Sequence, residues 1–107
     1  MKTIEYNKLV RDEIPNIIKK KGLKYEIELL TEFDEINEWL KNKLFEEVIE
    51  FMEKDNLDEL SDVLQVILKI LDHNNIDTIE IYDAMSKKLK ERGGFENNIL
   101  LKWVESE

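Results

Sequence analysis

The stretch Phe45–Leu68, FEEVIEFMEKDNLDELSDVLQVIL, decides how this chain folds. Its first part continues an apolar stripe that begins upstream. Phe33, Ile36, Leu40, Leu44, Val48 and Phe51 recur three or four residues apart, the period of one helix face running from about Glu32 to Lys54. Lys54-Asp55-Asn56 interrupts the stripe with polar N-cap candidates. Leu60, Val63, Leu64, Ile67 and Leu71 restart it, so a second helix is predicted from about Leu57 to Asp72, folded back on the first as an antiparallel hairpin. Val66, Leu68 and Ile70 widen the apolar surface of the second helix to both sides. A helix so broadly apolar needs cover on several sides, which predicts a homo-oligomer, a dimer or a tetramer.

Outward from the hairpin, Arg11 to Lys21 reads as a short helix, with Pro15 in its opening turn and Gly22 just past its end. Lys24–Leu30 alternates Tyr25, Ile27 and Leu29 with Lys24, Glu26 and Glu28, the two-residue period of a half-buried strand. Its expected partner is Asn97–Val104, which follows the Gly93-Gly94 break, giving a small two-stranded β ribbon. A last helix is predicted after Asp77, with Glu80 three residues on as in a capping box, and ends near Arg92. The expected fold is therefore mainly α: a helical bundle of about four helices plus the ribbon.

Composition agrees with a single domain over residues 1–107, since 42% hydrophobic and 38% charged residues are ordinary for a soluble domain and 3 Gly with 1 Pro leave no linker. There is no internal repeat. The absence of Cys excludes a disulfide framework and agrees with a reducing compartment. Lys2, Glu5, Lys8 and Arg11 interrupt the N-terminal stretch, so no signal-peptide core is expected there, and no segment reads as a membrane span. A cytoplasmic protein without a membrane partner is the expectation. The net charge of -9 argues against binding of duplex nucleic acid, which depends on clustered Lys and Arg.

The acids are not scattered. Glu46, Glu47 and Glu50 form E-E-x-x-E on the first helix of the hairpin, and Glu59 and Asp62 form E-x-x-D on the second. Residues three apart project from one helix face, so Glu47 with Glu50 and Glu59 with Asp62 make two pairs that a short turn brings together. Four converging carboxylates suit a hard cation such as Mg²⁺, which chooses oxygen donors and completes its shell with water and phosphate. Glu59 shares its side of the helix with Val63, Val66 and Ile70, where an unpaired carboxylate is costly. The alternative is structural: Lys43 and Lys54 stand four residues from Glu47 and Glu50, and Glu59 is the third residue of a helix capped by Asn56.

With these residues in place, the chain resembles the all-α NTP pyrophosphohydrolases, the superfamily of MazG-type proteins, dimeric dUTPases and phosphoribosyl-ATP pyrophosphohydrolase. Glu47, Glu50, Glu59 and Asp62 match its E-x-x-E and E-x-x-D signature, and the flanking YNKLVRDEIPNII and KKLKERGGF look like one MazG-like house-cleaning branch. Only eight residues separate Glu50 from Glu59, shorter than in many relatives, so no base specificity carries over. The resemblance implies Mg²⁺, with Mn²⁺ as a substitute, held by Glu47, Glu50, Glu59 and Asp62, with Glu46, Glu47 and Glu50 as the catalytic acids and Glu46 either supporting the ligands from outside or orienting the attacking water. The implied reaction breaks the α–β phosphate bond of a nucleoside triphosphate or related nucleotide.

A polyanionic substrate also needs cations. Lys8 and Arg11 precede the first helix, and Lys88 and Arg92 lie one turn apart on the last; both pairs are candidate phosphate ligands, solvated surface charge being the alternative. Asn7 and Tyr6, within the resembling N-terminal motif, are candidate lining of a nucleotide pocket. Lys19-Lys20-Lys21 reads as a helix-end charge, His73 as a capping or surface residue, and Trp39 and Trp103 as core. Three functions follow in order: a nucleotide-pool pyrophosphohydrolase acting on canonical or damaged nucleotides, phosphoribosyl-ATP pyrophosphohydrolase of histidine biosynthesis, and a non-catalytic helical interaction module.

Overall fold

The computed structural model describes residues 2–106, and among them the chain is mainly helical, with four helices and no strand. These are α1 (Ile14–Lys20), α2 (Phe33–Lys54), α3 (Leu57–His73) and α4 (Thr78–Arg92). The backbone divides into two compact units, Met1–Asn75 with α1 to α3 and Ile76–Glu107 with α4. No described helix is long and apolar enough to cross a membrane.

The hairpin of α2 and α3 forms as the apolar stripes predict, and the two helices pack against each other. Its turn is two residues long. Asp55 takes a left-handed conformation (φ 49°) while its N–H donates to the Phe51 carbonyl, ending α2. Asn56 is extended, and its side chain accepts from the Glu59 N–H at 2.9 Å, starting α3. Asn at such a cap satisfies an otherwise orphaned backbone donor. The far end of the hairpin is closed by polar contacts. Asn37 and Asn74 exchange side-chain amide hydrogen bonds at 3.2 and 2.9 Å, and His73 stacks on Phe33 with ring centroids 4.4 Å apart. The His73 Nε2 lies 3.0 Å from the Phe33 carbonyl, which can only accept, so that nitrogen carries the proton.

Local signals account for the other helices. Pro15 sits in the first turn of α1, which starts later than Arg11: the Arg11 carbonyl accepts from the Ile14 N–H at 3.0 Å in a turn, and Pro15, four residues on, has no N–H to make a helical bond to it. Gly22 supplies the positive φ (74°) beyond its end. Asp77 and Glu80 form the expected capping box of α4, and Gly93 ends it.

The expected ribbon does not form. Neither Lys24–Leu30 nor Asn97–Val104 is a strand, and Leu29 and Trp103 are both more than four-fifths exposed, which also removes Trp103 from the core. Alternation specifies a face only once something packs on it, and an isolated pair of strands is marginal in water. Trp39 is half-buried. The only buried apolar residues among the described ones are Leu40 of α2 and Leu71 of α3, at 4% and 8% exposure. Truncation of Leu40 to Ala is expected to cost on the order of 3 kcal/mol in urea-denaturation experiments. A loss below about 1 kcal/mol would show that this position is not packed as described.

Candidate metal centre

Near the turn end of the hairpin, three acids converge. Glu47 of α2 and Glu59 and Asp62 of α3 each offer a carboxylate oxygen within 4.8 Å of the other two. Asp62 lies one turn beyond Glu59 on the same face, and the Asn56 cap fixes the first turn from which Glu59 projects. The Glu47 and Glu59 side chains are only 12% and 15% exposed, and that of Asp62 is 35% exposed. Two negative charges at such a separation repel by about 3 kcal/mol at an effective dielectric constant of about 20. Positive charge must therefore stand beside them.

The chain supplies that charge itself. Lys43 Nζ reaches Glu47 at 3.0 Å and Glu46 at 3.3 Å, and Lys54 Nζ reaches Glu50 at 3.1 Å and Glu59 at 3.4 Å. From the segment before α1, Lys8 Nζ lies 3.1 Å from Glu46. Arg11 donates through one terminal nitrogen to Asp62 and through the other to the Gln65 side chain, both at 2.7 Å. The structural alternative read from the sequence is thus present in full, with the Lys43–Glu47 and Lys54–Glu50 pairs and the Asn56 cap all formed.

Of the four predicted metal carboxylates, three come together and one does not. Glu50 is one turn beyond Glu47, but its carboxylate turns to Lys54 and stays outside the triad. Glu46, the predicted water-orienting residue, is held between Lys8 and Lys43. Lys8 and Arg11, predicted for phosphate, instead contact the acids directly. Asn7 has a left-handed backbone (φ 46°), and its exposed neighbour Tyr6 lies under the Lys8 ammonium, 5.6 Å from the ring centroid. Lys88 and Arg92 are exposed on α4 in the second unit, whereas the acids, Lys8 and Arg11 belong to the first. Gln65 escaped the sequence reading. Its three-residue spacing from Asp62 places it on the same face, which was the available signal.

Titration follows these contacts. Burial pulls the Lys43 ammonium down, but hydrogen bonds to Glu47 and Glu46 outweigh it and the pKa is raised. Burial pushes the Glu46 carboxyl up, but hydrogen bonds from Lys8 and Lys43 outweigh that and the pKa is lowered. The Lys54 pKa is raised, chiefly by its hydrogen bond to Glu50. No family model, curated protein or solved structure matches the chain.

The lowered Glu46 pKa makes a test. A carboxyl that ionises more readily in the folded state adds stability above the usual carboxylate range and loses it as pH falls through the lowered folded value. Glu46→Gln is therefore expected to lower the melting temperature at neutral pH and to flatten its decline below about pH 4. Because the side chain is partly solvated, the loss is under about 1 kcal/mol. Parallel acid limbs in wild type and variant would contradict the pairing.

Proposed function

We propose that this chain is a cytoplasmic, Mg²⁺-dependent nucleoside triphosphate pyrophosphohydrolase that releases a nucleoside monophosphate and pyrophosphate, acting in nucleotide-pool house-cleaning. The supporting observation is the convergence of Glu47, Glu59 and Asp62 from two helices at a place that Arg11 also reaches. The residues fit the ion. All donors are carboxylate oxygens, as hard cations prefer, and two oxygens on one Mg²⁺ lie at most about 4 Å apart, which small side-chain rotations from the present spacing would reach.

Glu47, Glu59 and Asp62 would hold Mg²⁺, or Mn²⁺ in its place, with Glu50 as a fourth donor once its carboxylate leaves Lys54. Bound there, the ion supplies charge neutralisation for the phosphates and a water of lowered pKa. The remaining work falls to the chain. Lys8 and Arg11 bind outer phosphate oxygens through charge-assisted hydrogen bonds. Glu46, kept ionised by Lys8 and Lys43, accepts a hydrogen bond and so orients the attacking water. Its low pKa makes it a better orienting group than a proton store. Asn7, in the same unit as the acids, keeps the substrate-binding role expected from the sequence. The resemblance of the four-carboxylate pattern and both flanking motifs to the all-α NTP pyrophosphohydrolases supports the choice of bond.

The test is a nucleotide panel of canonical and damaged triphosphates and phosphoribosyl-ATP, with product identification in ¹⁸O-water. Pyrophosphate should leave and the label should appear in the monophosphate; orthophosphate with a diphosphate would overturn the reading. Glu47→Gln and Asp62→Asn should each lower kcat/KM at least about 100-fold, more than a change in an outer partner of a metal ligand costs. Wild-type activity in either variant at limiting Mg²⁺ would remove it from the ligand set.

A second reading, a non-catalytic interaction module, is favoured by one observation: each acid of the centre already has a cation of the chain beside it. No turnover across the panel with Mg²⁺ or Mn²⁺ would select it. Both readings include a homo-oligomer. Leu57, Leu60, Leu64 and Ile67 line an open apolar groove along α3, with Leu57 78% and Leu64 57% exposed. A second copy covering this face would remove from water the kind of apolar surface that monomers rarely leave exposed. Light scattering at micromolar concentration should give at least a dimer mass, and Leu64→Glu should shift it to the monomer. A wild-type monomer would sink this part of the proposal.

A further inference from the structure

We infer that Arg11 is an exchangeable counterion of the metal centre: it competes with the divalent cation for Asp62 and, on yielding it, stays beside the centre through Gln65. This rests on the metal-binding reading above. The guanidinium fork is divided between two unlike acceptors, the Asp62 carboxylate and the neutral Gln65 amide oxygen, each at 2.7 Å. A divalent cation competes strongly for the first and weakly for the second. Taking Asp62 therefore breaks one contact and leaves the other as a tether.

The other cations within reach of the triad are placed differently. Lys43 lies on α2 four residues from Glu47, and Lys54 lies on α2 with Glu50 as its four-residue neighbour, so both are held by helical backbone beside their acids. Arg11 belongs to a segment without helix or strand, and its side chain is 57% exposed. The same segment also carries the Lys8–Glu46 pair. Arg11 is thus the cation that can leave with little disturbance of the hairpin. A fork released from a carboxylate but kept at the edge of the centre presents a planar pair of donors, the geometry that phosphate oxygens accept. Metal binding would then create the substrate's cationic contact, so metal binds before nucleotide.

The experiment uses Mn²⁺ alone, with binding read by electron paramagnetic resonance on wild type and Arg11→Gln, and folding checked by circular dichroism. Removing the competitor should tighten Mn²⁺ binding several-fold. Independently of any variant, trypsin must extract the Arg11 side chain to cut after it, so Mn²⁺ should speed cleavage of the wild-type chain at Arg11 and leave cleavage at Lys24 unchanged. Equal or weaker Mn²⁺ affinity in folded Arg11→Gln, or a cleavage rate at Arg11 that Mn²⁺ does not raise, overturns the inference while the metal reading stands. If neither protein binds Mn²⁺, both fall together.

Discussion

The two-residue turn at Asp55 and Asn56 is the constraint on which the rest of the first unit depends. A left-handed Asp55 stops α2 and an extended Asn56 starts α3, so the register of two long helices is set at one point. Counting outward from that point, Asn37 and Asn74 are equidistant in sequence, and they are the residues that exchange hydrogen bonds at the other end. Leu40 and Leu71, the two buried leucines, are equidistant as well. The same register brings Glu47 level with the first two turns of α3, where Glu59 and Asp62 stand. One residue more in the turn would rotate α3 by about 100° relative to α2 and separate these acids.

Because the register forces acids together, the local chain has to answer with cations. Five acids, Glu46, Glu47, Glu50, Glu59 and Asp62, stand against Lys8, Arg11, Lys43 and Lys54. One negative charge is left over. Exposed pairs of this kind contribute little each, but those of Lys43 are more sheltered, and breaking one there would leave a desolvated charge without a partner. The network is therefore better understood as what permits the acids to cluster than as a source of net stability.

The helices and their hairpin were legible because three- and four-residue periodicity, capping residues and glycine stops all point the same way along the chain. The ribbon was not, because Tyr25, Ile27 and Leu29 alternate correctly but nothing in the sequence supplies the surface they would cover. At the centre, spacing gave the helix face of every acid yet not its rotamer. Glu50 has the angular position of a fourth ligand and spends its carboxylate on Lys54. Arg11 and Asp62 are far apart in sequence, so their contact depends on how residues 2–13 lie against α3, which no local pattern encodes. Gln65 lies three residues past Asp62 on the same face, but its amide carries no charge and leaves no mark in the pattern of acids and bases.

This charge balance also bears on how the same groups could serve a polyanion. With four cations against five acids the centre is close to neutral, so it neither repels phosphate strongly nor attracts it. A divalent cation would turn the deficit of one into an excess of one, while releasing a guanidinium from the carboxylate that occupies it. Lys43 and Lys54, fixed on α2, would continue to offset the acids that the ion does not engage. Attraction for a triphosphate would then be conditional on the metal, a property that follows from the count and placement of charges and not from any single residue. A chain with Arg11 on a rigid helix would lose that conditionality, since the guanidinium could not follow the substrate. Its position in the irregular segment ahead of α1, with Gln65 as the second hold, is what makes the exchange geometrically available.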